Sequence, residues 1–268
     1  MLKRIFFVTV LSVFIASSSF AKSLVFGIVP QQSPIKLFKT WKPFIDHLSK
    51  SANIDIIFRT EKSIPEFEKK LYNGEYDIAY SNPYHYTIAN KKQNHKAIAR
   101  FDKQIVGILV VNKNSKINSI SDVKNKEFLF PAPKAFAATI LTKYDILNKQ
   151  NYDIEKSQKF KYVNSHDSVY LGVQRGIGEV GGGIKRTFNR FKNKDQLKII
   201  YTTDKYPSHP ISVSNSVDSK LIKKIEQALL DMPRELIVPI NKKALIKTNN
   251  SEYSVVKKLA FELGIFLK

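Results

Sequence analysis

The sequence predicts an α/β protein of two lobes, each a mostly parallel sheet flanked by helices, with a cleft between them. Two observations carry this. Apolar runs of strand length alternate with amphipathic stretches that open on helix caps, and short continuous apolar runs are what strands covered on both faces look like. The alternation then breaks at a polar stretch, Asn112 to Asn125, and starts again. The expected division is 1–21 as an export signal, 22–111 plus 205–268 as the first lobe, and 112–204 as the second.

The first segment has a basic start at Lys3 and Arg4, an apolar run from Ile5 to Ala16, and a small-x-small ending at Phe20-Ala21. That is the grammar of a cleaved secretory signal, and the apolar run is shorter than the roughly 20 residues a bilayer requires. Cleavage is expected after Ala21, releasing the protein into the periplasm. Leu24 to Val29 then reads as a buried strand. Ser33-Pro34 reads as an N-cap with proline in the first turn of a helix running to about Ser51. Ile54 to Phe58 is a second strand, and Ser63-Ile64-Pro65-Glu66 is a capping box for a helix ending at Asn73-Gly74. Asp77 to Tyr80 is a third strand, Asn82-Pro83 opens another helix, and Ile105 to Val111 is a continuous apolar strand.

In the second lobe, Phe128 to Phe130 is a strand, Ala135 to Leu147 a helix, and Phe160 to Val163 a strand. Asp167 to Arg175 is the next helix, Val180 the centre of a strand, and Leu197 to Tyr201 a strand that returns the chain. Helices at Ser219 to Leu230 and near Glu252 to Leu263 complete the first lobe.

Ligand sites in open α/β sheets lie beyond the carboxyl ends of strands. The candidates there are Gln32, Ser33, Tyr80, Ser81, Asn82, Tyr84, Ala135, Phe136, Ala137, Ser165, His166, Glu179, Gly182, Arg186 and His209. Several of these segments open a helix, so unpaired N–H groups and the positive dipole end would face one cleft, which suits an anion. Gly181-Gly182-Gly183 would let the backbone approach a ligand, with Arg186 able to hold an oxyanion by two hydrogen bonds. Trp41 lies in an amphipathic helix and is expected in the core.

Composition narrows the classes. The 268 residues hold 44 Lys and Arg against 23 Asp and Glu, a formal net charge of +21, and no cysteine. Disulfides, thiol nucleophiles and thiolate metal sites are therefore excluded. The basic residues are dispersed, without the clustered motifs of a nucleic-acid binder, so they are read either as a lysine-rich solvated surface or as a field that draws anions toward the cleft, and both can hold together. Gly176-Ile177-Gly178-Glu179-Val180-Gly181 matches a dinucleotide fingerprint letter for letter, but it follows a helix and overlaps a strand, so nucleotide binding is not expected. The five histidines show no paired ligand spacing, and no nucleophile elbow occurs. Ser165, His166 and Asp167 are neighbours in sequence, which does not make a triad. Neither a metal, a cofactor nor an enzyme is expected.

Phe26-Gly27-Ile28-Val29-Pro30-Gln31-Gln32-Ser33, Trp41-Lys42-Pro43-Phe44, Asp77-Ile78-Ala79-Tyr80 and Ser165-His166-Asp167 occur in this order along the chain. They resemble the phosphate/phosphite/phosphonate-binding receptors, the phosphonate-type members of the class II periplasmic binding proteins. The resemblance implies a type II clamshell that closes on a small oxyanion and delivers it to an ABC permease in the inner membrane, as a monomer without a cofactor. It also implies an oxygen-binding role for His166 and an amine-holding role for Glu179. The family's Ser-Thr-Ser run at the second lobe's first helix is replaced by Ala135-Phe136-Ala137, leaving only backbone N–H donors there. The same clamshell could serve a periplasmic sensor feeding a membrane kinase or cyclase; a hydrolase is a more distant alternative.

Overall fold

The computed structural model describes residues 23–241 and 243–265. The predicted export signal lies outside them. In chain order the strands and helices are β1 (Leu24–Ile28), α1 (Pro34–Ala52), β2 (Ile56–Arg59), α2 (Ile64–Tyr72), β3 (Ile78–Tyr80), α3 (Pro83–Gln93), β4 (Lys96–Phe101) and β5 (Gln104–Asn112). The second half continues with β6 (Phe128–Phe130), a π-helical turn at Phe136–Leu141 that leads into α4 (Thr142–Gln150), α5 (Ile154–Ser157), β7 (Phe160–Tyr162), α6 (His166–Gln174), β8 (Val180–Ile184) and α7 (Lys185–Arg190). It closes with β9 (Leu197–Pro207), β10 (Pro210–Val213), α8 (Ser219–Leu230), α9 (Arg234–Ile237), β11 (Leu245–Lys247) and α10 (Ser254–Glu262).

The helix starts follow the sequence chemistry. Pro34, Pro65 and Pro83 stand in the first turns of α1, α2 and α3, where their missing N–H costs nothing. The side chains of Ser63, Asn82 and Ser165 accept from the first-turn N–H groups of α2, α3 and α6. Ser33 occupies the N-cap position of α1 but makes no side-chain cap bond.

Two sheets result, ordered β11-β4-β10-β3-β1-β2 and β7-β6-β8-β5-β9. Each keeps a parallel unit of three strands, β2-β1-β3 and β7-β6-β8. The remaining pairings, including those of β5 and β10, are antiparallel, so the sheets are mixed rather than mostly parallel. The reason is the crossing. Strand β5 enters the second sheet from the hinge and runs away from it, against β8, whose carboxyl end reaches back toward the cleft at Ile184.

This also corrects the expected placement of 104–111. That apolar run is expected in the first lobe, but β5 pairs with β8 and β9 in the second sheet, and β9 continues there to Pro207. An apolar run buried on both faces carries no label for which sheet it joins. The crossings therefore fall at Phe101 to Gln104 and Pro207 to Pro210, between β4 and β5 and between β9 and β10.

The first sheet's core gathers Phe26, Trp41, Phe44, Phe67, Tyr76 and Phe101, all at most 3% exposed. It runs on without a break into Ala132, Ala135 to Ala138, Ile140 and Leu141 of the second half. The segment that opens the π-helical turn is thus packed between the lobes. Among the described residues, no helix is long and apolar enough to cross a membrane, and no cluster of three or more potential metal ligands occurs.

Candidate functional site

The placement of the π-helical turn is set by two glycines. A Cβ on Gly107 of β5 would lie 2.2 Å from the Ala137 carbonyl oxygen, and one on Gly182 of β8 would lie 2.1 Å from that of Ala138. The turn therefore rests backbone to backbone on adjacent strands. Gly181 and Gly183 face the other layer, against Val169, Val173 and Tyr170 of α6. The triple glycine is thus a strand squeezed between two helices, not a loop at a ligand. Gly182 acts beneath the site, by letting the backbone of the turn settle onto β8 where Phe136, Ala137 and Ala138 line the cleft.

Three neighbouring cavities that share lining residues lie between the lobes. A tight slot of about 10 Å³ is lined by Ala135 to Ala138, His166, His209, Gln31 and Asn82. That is room for roughly one water-sized group. It shares Ile105, Ile184 and His209 with a compartment of about 240 Å³ on the hinge side, which adds Tyr80, Lys103, Gln104, Lys185, Arg186 and Asn189. A second slot of about 10 Å³ joins Gln31 and Gln32 to Tyr80, Arg186 and Arg190. No aspartate or glutamate lines any of the three.

A polar chain spans this cleft. The Arg186 guanidinium donates to the Gln31 side-chain oxygen, and Gln31 Nε2 lies 2.8 Å from His209 Nε2. The His209 ring stacks on Tyr80 at 5.3 Å. His166, at the start of α6, is 3% exposed, and its Nδ1 is buried without a hydrogen-bond partner. Burial, assisted by Arg186, pushes His166 down to about 3. Burial and then Arg186 also hold His209 well below the ordinary imidazole value. Both rings are therefore neutral near pH 7.

Elsewhere, burial brings His85 and His95 down to about 4, and the Glu68 carboxylate 3.8 Å from His85 does not outweigh it. All four folded values lie below the unfolded value of about 6.5. The stability they contribute is present above pH 6.5 and is lost as pH falls toward 4 and 3. The melting temperature of the ligand-free protein should therefore drop steadily between pH 6.5 and 4 in calorimetry, with each histidine contributing up to about 1.4 kcal/mol per pH unit. A flat profile over that window would contradict neutral burial.

Of the sequence candidates, Gln32, Tyr80, Asn82, Ala135, Phe136, Ala137, His166, Arg186 and His209 line these cavities. Phe136 also packs edge-on to Tyr206 at 5.3 Å, so it serves wall and core together. Asn82 caps α3 and donates across the cleft to the Lys134 carbonyl at 3.1 Å. Ser81 is fully buried with an unpartnered Oγ but lines none of the cavities. Ser33 is exposed. Ser165 is spent on Ser168, and the Tyr84 hydroxyl donates to the Ile265 carbonyl.

Glu179 is not in the cleft. It precedes Val180, at the end of β8 opposite Ile184, where it accepts from the Glu127 N–H and pairs with Lys126 at 3.3 Å. The strand at Val180 is expected, but Val180 opens β8 rather than standing at its centre, so Glu179 lies at the amino end of the strand and Ile184 at its carboxyl end. Gln31, Lys103 and Arg190 are missed as well. Lys103 sits in a crossing that becomes visible only once β4 is recognised. Gln31 differs from Gln32 only in which way the loop after β1 turns.

The family model for the periplasmic phosphonate substrate-binding protein of ABC transporters matches residues 26–253. A probable phosphite-binding ABC transporter protein of Prochlorococcus marinus, PhnD1, is 22% identical over 91% of this chain and 90% of its own length. The structure of PhnD1 in complex with methylphosphonate superposes with a TM-score of 0.83 at 20% identity, covering 91% of this chain and 99% of that one. A phosphonate-transporter binding component from Pseudomonas aeruginosa does so with a TM-score of 0.83 at 17% identity, covering 90% and 86%. These likenesses establish the two-lobed fold of type II periplasmic binding proteins. Membership implies a small solute and a membrane permease as partners, a periplasmic location, and a binding role rather than an enzymatic one. With the match running through both sheets, the chain belongs to the periplasmic phosphonate substrate-binding proteins of ABC transporters.

Proposed function

We propose that this chain captures a small oxyanion of the phosphite or phosphonate type in the inter-lobe cleft and hands it to the permease of an importer. The observation that carries this is the lining: Arg186 and Lys103, no carboxylate, and an unpartnered buried Nδ1 on His166. Arg186 and Lys103 are partly buried, and partly desolvated cations without a counter-ion are costly, so the closed cleft favours an anionic occupant. First-turn N–H groups of the π-helical turn replace the hydroxyl donors its sequence lacks, while Arg186 and His166 supply the side-chain contacts.

Calorimetric titration with methylphosphonate, phosphite, phosphate and the uncharged dimethyl ester of methylphosphonate tests this. At least one of the anions should bind, and at a hundredfold excess over its Kd it should stabilise the protein by about 2.7 kcal/mol. The ester should not bind. Equal binding of the ester, or no binding by any of the anions, would sink the assignment.

Export by a cleaved signal, supported by the amino-terminal charge and apolar pattern, is part of the same proposal, as is a monomeric state. Mass spectrometry of the periplasmic fraction should find Lys22 at the amino terminus, and light scattering should give the mass of one chain. An intact Met1 would refute cleavage.

A further inference from the structure

We propose that the ligand carries a second negatively charged group, a short carboxylate tail on the phosphonate, held in the hinge-side compartment by Lys103. This rests on the oxyanion reading above and adds to it. The slot at the π-helical turn takes roughly one water-sized group. The adjoining compartment of about 240 Å³ extends from the shared His209 to Lys103, Gln104 and Asn241.

The charge in this region is uncompensated. Lys103, Lys185, Arg186 and Arg190 are absent from the ion pairs formed among the described residues. Lys103 is half-buried in the crossing between β4 and β5, and burial together with Arg186, Arg190 and Lys243 lowers its ammonium to about 8. A surface lysine on a basic chain would instead be solvated and unshifted. One phosphonyl group, with a charge of about −1.5 to −2 by analogy with a phosphate monoester, leaves part of this cluster unanswered. A carboxylate a few bonds away would answer it. An ammonium tail would add to the repulsion, with no acid in the lining to receive it.

The test is calorimetry on the mature protein with methylphosphonate and three tail-matched ligands: 3-phosphonopropionate, propylphosphonate and 2-aminoethylphosphonate. The carboxylate tail should bind at least about tenfold more tightly than the neutral tail, the effect of one additional charge-assisted hydrogen bond. The amine tail should be the weakest, since it meets only like charge. In Lys103→Ala, or Lys103→Gln if the alanine variant is unstable, the ratio between carboxylate and neutral tails should fall to about one. Equal affinities in the wild type, or a ratio unmoved by both Lys103 variants, overturns the second anion site while methylphosphonate binding leaves the oxyanion reading standing. Failure of all four ligands to bind overturns the second anion site, and the oxyanion reading falls with it only if phosphite and phosphate fail to bind as well.

Discussion

Gly182→Ala is expected to lower the melting temperature and to weaken ligand binding by about tenfold, although the residue touches no ligand. Its Cβ would arrive 2.1 Å from the Ala138 carbonyl oxygen and 2.6 Å from the Phe130 ring. Neither neighbour is the free end of a flexible chain: one is backbone and the other is a fully buried ring. Overpacking of this kind costs about 1–3 kcal/mol, and about 2–4 °C of melting temperature per kcal/mol applies to a chain of this size. The only relief is to lift the π-helical turn off β8, which displaces the N–H groups of Phe136 to Ala138. Gly107→Ala should do the same from β5, because its Cβ would meet the Ala137 carbonyl oxygen at 2.2 Å. Differential scanning calorimetry and titration calorimetry on the same samples decide the point. If Gly182→Ala melts and binds like the wild type, the backbone-to-backbone seat of the turn is wrong.

The same glycines show what can and cannot be read from the sequence. Elements with strong local signals are legible: Ser63 and Asn82 announce the helices they cap, and the apolar runs of β1 and β5 announce buried strands. Strand β8 is legible at Val180 but not in its extent, because three glycines remove the side chains that would mark where it runs, and their purpose is a clearance between layers that only the tertiary structure defines. Misreading β8 puts Glu179 at the cleft when it belongs at the far end. Strands β10 and β11 escape notice because they are short, and their burial comes from neighbours distant in sequence. The π-helical turn is expected as ordinary helix, since no local pattern distinguishes the two. His166, His209 and Arg186, which line the cleft cavities, are singled out by the sequence because each stands at a strand-to-helix junction or a crossing, where ligand sites in such sheets gather.

Arg186→Ala should weaken binding of the oxyanion by about 1.5–3 kcal/mol, roughly 10- to 150-fold, the range for a charge-assisted hydrogen bond lost from a buried site. The guanidinium has two tasks. It supplies positive charge to a cleft without carboxylates, and it crosses from α7 to Gln31 in the loop after β1, which in turn contacts His209. Losing it removes the contact proposed for the oxyanion and one of the links between the lobes. The unliganded protein should not suffer in proportion. Arg186 lowers the protonation of His166 and His209 and adds to the depression of Lys103. Because both rings are already neutral near pH 7, the repulsion that its removal relieves in the empty cleft is that with Lys103 and Arg190, so the ligand-free melting temperature should hold or rise slightly. Arg186→Lys should recover only part of the affinity, because a point charge replaces a planar fork that can face Gln31 and the anion together. Affinity unchanged in Arg186→Ala would take the guanidinium out of the binding site. A loss of affinity matched by an equal loss of ligand-free stability would make it a structural residue instead.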